Sequence, residues 1–226
     1  MNIFQNYAAR YERTREEEYS LQEYLEICKR DRLAYASAAE RMLAAIGEPE
    51  MVDTRNDSRL SRIFSNKIIK IYPAFREFYG TEEVIEQVVA YFRHAAQGLE
   101  ERKQVLYLLG PVGGGKSSIA EKLKSLMERV PFYAIKGSPV NESPLGLFNE
   151  GEDGPILEAD YGIPRRYLRT IMSPWAVKRL HEFNGDINQF RVVKRYPSIL
   201  KQIAISKTEP GDENNQDISS LVGKVD

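Results

Sequence analysis

The spacing of apolar residues predicts a strand, a loop and a helix in succession around residue 110. Residues 105–109 read VLYLL, a nearly all-apolar run that is typical of a strand buried on both faces of a parallel sheet. After the loop, Ile119, Leu123 and Leu126 recur at helical spacing, with charged residues between them. We therefore expect a central parallel strand at 105–109 and an amphipathic helix that begins near Lys116.

The first 60 residues or so have helical spacing and many charges. Ser20 and Glu23 have the spacing of a capping box, and Leu21, Leu25 and Cys28 would line one face of the helix that follows. This pattern predicts a helical segment ahead of the strand.

A second helix is predicted from about residue 32 to 46, with Ala38, Met42 and Ala45 on one face and a stop at Gly47. The charged run at 13–18 favours a solvated helix face over a binding tract.

The remaining segments alternate between periodic and loop-like patterns. A helix over residues 82–96 precedes the strand at 105–109, and a second strand is predicted at 132–135. Residues 138–175 are rich in Pro and Gly and predict long loops with short helices. Residues 176–206 return to helix and strand patterns, and the polar residues 208–217 predict a loop.

The composition restricts the class of protein but does not indicate a particular function. The 226 residues are 42% hydrophobic and 29% charged, so the chain can bury a core. The net charge of −1 gives no bulk attraction to nucleic acid or membrane, and neither is expected as a partner. The single cysteine, Cys28, excludes an intrachain disulfide framework and is expected to pack in the core. Without a membrane-length apolar run or a secretion signal, we expect a cytoplasmic location.

The loop between the predicted strand and helix carries the most informative motif. It fits G-x-x-x-x-G-K-[ST] with every fixed position filled, over Gly110, Pro111, Val112, Gly113, Gly114, Gly115, Lys116, Ser117 and Ser118. The glycines let the backbone wrap phosphates with its N–H groups inward, and the following helix adds the positive end of its dipole. Lys116 is expected to reach the β- and γ-phosphates and Ser117 to ligate Mg²⁺. ATP and Mg²⁺ are therefore the expected ligands, and the strand–loop–helix context disfavours a chance glycine-rich turn.

A second segment, upstream of the loop, indicates which class of P-loop protein this is. Phe78, Tyr79 and Gly80 precede the helix predicted from residue 82, and this segment resembles the one that opens AAA+ ATPase modules. The resemblance implies that the backbone at Tyr79 and Gly80 contacts the adenine edge, with Tyr79 or Phe78 over its face. An ordinary helix start with a core-facing aromatic pair is the alternative interpretation.

These elements predict an α/β fold. The expected architecture is a P-loop NTPase core of the AAA+ type with a parallel sheet, preceded by an N-terminal helical segment. The expected domains are residues 1–60 for the helical segment and 61–226 for the nucleotide-binding domain.

Several segments together resemble the bacterial PrkA-type serine protein kinase family over essentially all 226 residues. They are residues 95–101, 107–118, 162–168, 173–176 and 207–217. The resemblance implies an N-terminal AAA+ domain, transfer of phosphate from ATP to a protein serine in the full-length protein, and a ring-type homo-oligomer of that protein. Family members are much longer, so we expect this chain to be an N-terminal fragment.

The parts needed for turnover cannot be assigned after Ser118. A P-loop ATPase needs a second apolar strand with an acidic end, but the runs at 155–158, 191–194 and 198–205 are too short or end without an acid. Sensor residues, a closing lid and the V-A-I-K, H-R-D and D-F-G kinase motifs are also unassigned. We therefore expect the chain to bind ATP but turn it over poorly, and name no catalytic residue.

Two other function classes stay open: a nucleotide-gated interaction module without kinase activity, and an AAA+ motor-type ATPase. A pI of about 6.2 and the lack of a stripe of basic and aromatic residues argue against a motor on nucleic acid. Among weaker sites, His94 and His181 favour a helix surface over a metal site, and residues 212–215 favour a polar turn over a cation site. Arg165 and Arg166 favour local salt bridges over an arginine finger that acts in trans.

Overall fold

The computed structural model describes residues 16–111 and 113–206. Within these residues it has seven α-helices and five β-strands. The helices are α1 (Leu21–Arg30), α2 (Ala38–Ile46), α3 (Ser58–Phe64), α4 (Glu82–Ala96), α5 (Lys116–Met127), α6 (Gly154–Tyr161) and α7 (Pro174–Glu182). The strands are β1 (Glu17–Ser20), β2 (Glu50–Asp53), β3 (Ile68–Ile71), β4 (Phe132–Ile135) and β5 (Arg191–Arg195).

Several predicted elements are confirmed. The Ser20 side chain accepts a hydrogen bond from the Glu23 N–H at 3.2 Å, and the Glu23 carboxylate accepts from the Ser20 N–H, so α1 begins with the expected capping box. Gly47, at φ 78°, ends α2, although the stretch predicted to begin it is a separate 3₁₀ turn at Arg32–Ala34. Helix α4 and strand β4 have the predicted bounds.

The strands form two antiparallel sheets. One has the order β1–β5–β4, and the other pairs β2 with β3. The expected parallel sheet is therefore not found among the described residues. The N-terminal segment is also not purely helical, because β1 and β2 lie within it. Glu17 and Glu18 lie in strand β1, and Glu16 directly precedes it, so these carboxylates are not on a helix. They pair with cations of β5: Glu17 Oε2 lies 3.2 Å from Lys194 Nζ.

The buried central strand predicted at 105–109 is not found among the described residues. These residues lie outside the strands, and Val105, Tyr107 and Leu109 are 88%, 79% and 84% exposed. Leu106 and Leu108, in contrast, pack against a buried cluster. The segment thus has one covered face and one open face, because no strand of the described residues pairs with it, and an unpaired strand cannot bury both faces.

Two buried clusters hold the fold together. One lies between α1, the three-stranded sheet and the loops after β4, and includes Leu21, Tyr24, Leu25, Cys28, Leu145, Ile163 and Val192. The other joins α2, α4 and α5, and includes Met42, Ile46, Phe75, Ile85, Val89, Ile119, Leu123 and Leu126. The burial of Cys28 is confirmed. The glycine loop thus leads into a helix whose apolar face is fixed in the second cluster.

Candidate phosphate-binding site

The backbone of the glycine loop has the conformation that its glycines permit. Gly113 and Gly115 lie at φ 81° and 76°, in the left-handed region that side chains rarely adopt. At Gly114, a Cβ atom would lie 3.1 Å from the Pro111 carbonyl oxygen, closer than an ordinary van der Waals contact. Gly113 and Gly115 therefore supply a backbone conformation that other residues rarely adopt, and a side chain at Gly114 would require the Pro111 carbonyl to shift by a few tenths of an ångström. Val112 lies outside the described residues.

Lys116 spans this loop. Its Nζ donates hydrogen bonds to the carbonyl oxygens of Gly110 and Pro111, each at 2.6 Å, and the Gly114 N–H donates to the same Pro111 oxygen at 3.2 Å. These contacts place the ammonium group inside the turn, beside the glycines, rather than out in solvent. The positive charge thus lies where the motif requires it.

The N-terminus of α5 opens directly onto the loop. Gly115 is its N-cap, and among the described residues no side chain caps it. The Ile119 N–H bonds back to the Gly115 oxygen at 2.9 Å, which leaves the N–H groups of Lys116, Ser117 and Ser118 ahead of that first helical bond. Ser117 and Ser118 are exposed. Free N–H groups, the helix dipole and an adjacent ammonium group together can bind an anion.

Packing fixes the direction in which the loop points. Ile119 and Leu126 of α5 are 3% and 0% exposed, and Leu106 and Leu108, before the loop, contact the same cluster. Both arms of the loop are therefore held by one core, while the loop itself lies at the surface.

The aromatic pair predicted to contact adenine, Phe78 and Tyr79, does not share a cavity with the described residues of the glycine loop. Tyr79 is 79% exposed, and Gly80 turns the chain at φ 78°. Phe78 packs against the second cluster. Tyr79 and Phe78 line a cavity of about 380 Å³, to which the described residues of the glycine loop contribute no wall.

An ion pair links the helix after the glycine loop to the segment that contains Phe78 and Tyr79. Lys122 Nζ of α5 lies 2.5 Å from Glu77 Oε1, just ahead of Phe78 and Tyr79. The hydrogen bond from Lys122 lowers the pKa of Glu77. Neither residue was expected to matter from the sequence; the only available signal was that Lys122 lies on the polar face of a predicted helix.

The weaker candidates behave as surface residues. His94 is on α4 with Nδ1 3.1 Å from Glu101, and His181 is exposed on α7. No group of three or more potential metal-ligating side chains occurs in the described parts of the chain. Arg165 and Arg166 pair with Glu158 and Glu40, as the salt-bridge alternative predicted. Residues 212–215 lie outside the described residues.

The glycine loop and the N-terminus of α5 together form a candidate anion-binding site made largely of backbone N–H groups. The sequence profile of the PrkA AAA domain matches residues 19–226, and the chain therefore belongs to the PrkA AAA domain family. A serine/threonine kinase YeaG of Escherichia coli (strain K12) is 69% identical over 230 residues, which cover all of this chain and 36% of that relative. An ATP-dependent protease PrkA of Bacillus subtilis (strain 168) is 34% identical over 229 residues, which cover 95% of this chain and 34% of that relative.

The chain thus spans about a third of the length of these curated relatives. No solved structure matches the chain. Across the described residues, no helix has both the length and the apolar character needed to cross a membrane.

Proposed function

We propose that residues 110–118 bind ATP with Mg²⁺, and that this chain is the ATP-binding AAA+ domain of a PrkA-type serine protein kinase. The observation that carries the proposal is the glycine loop, in which Lys116 Nζ lies among the loop carbonyls at the start of α5, which no described side chain caps. Family membership supports a nucleotide-binding role.

Each group of the loop has a distinct task in this proposal. The N–H groups at the start of α5 donate to phosphate oxygens, and Lys116 exchanges its two carbonyl contacts for the β- and γ-phosphates. Ser117 supplies a hydroxyl oxygen to Mg²⁺, a hard cation that prefers oxygen ligands. Tyr79 and Gly80 contact the adenine.

We also propose that residues 105–109 belong to a parallel sheet at the core of the nucleotide-binding domain. Val105, Tyr107 and Leu109 present an apolar face, so residues 105–109 can pair with strands that lie outside the described residues. We place the acid that completes the Mg²⁺ shell outside residues 119–206. Within that range β5 ends in Lys194 and Arg195, and residues 155–158 belong to α6, so neither offers an acidic strand end.

In the whole protein, the proposed activity is transfer of the γ-phosphoryl group of ATP to a serine hydroxyl of a protein, in a ring-type homo-oligomer. The name of the 69% identical relative supports a kinase. The name of the 34% identical relative supports a second candidate, an AAA+ motor-type ATPase coupled to proteolysis. Nucleotide-gated assembly without either activity is a further alternative for this domain.

Nucleotide binding is tested by calorimetry with ATP and Mg²⁺ on the Lys116→Ala variant. Loss of a charge-assisted contact, worth about 1.5–3 kcal/mol, should weaken binding at least about tenfold. Lys178→Ala is the matched control, because Lys178 is an exposed lysine on α7. Equal affinities for the two variants would refute phosphate binding by the loop.

The full-length activity is tested with ATP labelled at the γ-phosphate and an unfolded protein substrate. Label on serine supports the kinase, whereas ATP-dependent peptide release without label supports the protease. Phosphate release by this 226-residue chain should be far slower than by a full-length relative, because neither an acid for the Mg²⁺ shell nor an arginine finger is assigned within the described residues, and an arginine finger alone is worth about 10³–10⁵ in rate. Equal rates would mean that the acid lies within residues 119–226.

A further inference from the structure

A cavity of about 310 Å³ lies where several separate segments of the fold meet. Its walls come from α2 and the turn before it, from the chain before the glycine loop, from β4 and the loop after it, and from the segment after α6. The shared feature of these walls is positive charge: four arginines line the cavity, namely Arg41, Arg102, Arg166 and Arg169.

Arg41 is the central group. Its Nη1 donates to the Ala36 carbonyl oxygen at 2.8 Å, and its guanidinium carbon lies 5.5 Å from the centre of the Phe132 ring. Its Nε is buried and finds no hydrogen-bond partner among the described residues. Burial lowers the pKa of Arg41. The Arg41 guanidinium forms no ion pair in the described structure. A half-buried cation of this kind is costly, and an anion in the cavity would offset that cost.

The nearby carboxylates are already engaged. Glu40 accepts from the Tyr167 hydroxyl at 2.5 Å and from Arg166 at 3.4 Å, and it also pairs with Arg32 outside the cavity. Glu150 accepts from Arg169 Nε at 2.8 Å. Arg102 is exposed and makes no ion pair within the described structure.

The wall contains no carboxylate of its own among the described residues, but it has neutral donors, including the hydroxyls of Ser143 and Thr170. Two guanidinium groups, Arg41 and Arg102, thus face a small polar space without a carboxylate partner. A ligand with two negative charges and several acceptor oxygens matches this set better than a single carboxylate, since guanidinium forks bind phosphate through paired hydrogen bonds.

We propose that this cavity binds a phosphate monoester, the phosphorylated side chain of a serine or threonine in a peptide, with Arg41 and Arg102 as the main contacts. Arg166 and Arg169 also line the cavity and can add long-range attraction. The proposal does not depend on nucleotide binding at residues 110–118, because the two sites share no described residue.

The test is calorimetry of the 226-residue chain with a short phosphoserine peptide, its unphosphorylated form and inorganic phosphate. We expect saturable binding of the phosphopeptide that weakens as salt is added, and little binding of the unphosphorylated peptide. All titrations are repeated in the Lys116→Ala background, where we expect binding at the cavity to persist and binding of phosphate at the glycine loop to be at least about tenfold weaker.

The decisive variant is Arg102→Gln, because Arg102 is exposed and its loss should leave the fold intact. It should weaken phosphopeptide binding about tenfold, the effect of one charge-assisted contact. Arg62→Gln, an exposed arginine on α3, is the matched control and should have no effect. Arg41→Gln should also weaken phosphopeptide binding, and this result counts only if the variant still unfolds cooperatively on heating.

Three results would overturn the proposal. The first is equal affinity for the phosphorylated and unphosphorylated peptides. The second is equal affinity of the Arg102→Gln and Arg62→Gln variants. The third is binding of inorganic phosphate without binding of the phosphopeptide, which would identify a site for the free ion instead.

Discussion

Lys122 of α5 and Glu77, which precedes the Phe78–Tyr79–Gly80 turn, form an ion pair with Nζ and Oε1 2.5 Å apart. The pair joins the helix that begins at the glycine loop to the segment expected to contact adenine. Its partners are 21% and 53% exposed, so solvent screens the interaction and limits its contribution to stability.

This pair should give a small, pH-dependent contribution to folding. The pKa of Glu77 is lowered in the folded chain, so the stabilisation is present above its ordinary value of 4.5 and is lost as the pH falls through the lowered value. A double-mutant cycle with Glu77→Gln and Lys122→Met in urea at pH 7 should give a coupling of about 0.2–1 kcal/mol. The same cycle at a pH below the lowered value should give none, and a coupling that persists there would contradict the assignment.

Gly114→Ala should weaken ATP binding by the glycine loop more than Gly151→Ala does. The added Cβ would lie 3.1 Å from the Pro111 carbonyl oxygen, and the turn must open to admit it. Strain of about 1–3 kcal/mol would lower ATP affinity by roughly tenfold or more. Gly151→Ala, where the Cβ would meet only the Asn149 side chain at 3.4 Å, is the control and should bind ATP normally.

Ser20→Ala should destabilise the chain by about 1 kcal/mol, because it removes the side-chain acceptor at the start of α1. Thr81→Ala offers a comparison, since Thr81 is the N-cap of α4 but makes no side-chain capping hydrogen bond. Denaturant unfolding should show the larger loss for Ser20→Ala. Equal losses would mean that the capping box is not the source of the effect.

Cys28 should resist alkylation in the folded protein. Burial raises the pKa of its thiol to about 12, so very little reactive thiolate is present at pH 8. Because it is the only cysteine in the chain, all alkylation that is measured occurs at this thiol. We expect alkylation of the native chain to be at least about a hundredfold slower than of the urea-unfolded chain. Similar rates would show that the first cluster opens readily.

Local signals in the sequence predicted local structure well. The capping box at Ser20, the glycine stop at Gly47 and the apolar face of α5 each depend on residues within a few positions of one another. The glycine loop is of the same kind, because its motif and its conformation are set by consecutive residues.

Pairing between distant segments could not be predicted in the same way. The apolar run at 105–109 indicated two buried faces, but burial depends on which strands lie alongside, and the run itself does not encode them. The carboxylates of β1 looked helical because their partners, such as Lys194, lie far along the chain. For the same reason, nothing in the sequence marked Arg41 and Arg102 as neighbours across one cavity.

The pairing of β1 with β5 sets a condition on how this chain folds during synthesis. Glu17 and Lys194 are 177 positions apart, so β1 emerges from the ribosome long before its partner exists. At about 5–20 residues per second, this interval is roughly 10 to 35 s. Throughout it, the carboxylates of β1 have no strand to pair with, and the three-stranded sheet forms among the last parts of this chain. Delays in translation before residue 191 should therefore prolong exposure of the β1 edge to chaperones and to other nascent chains.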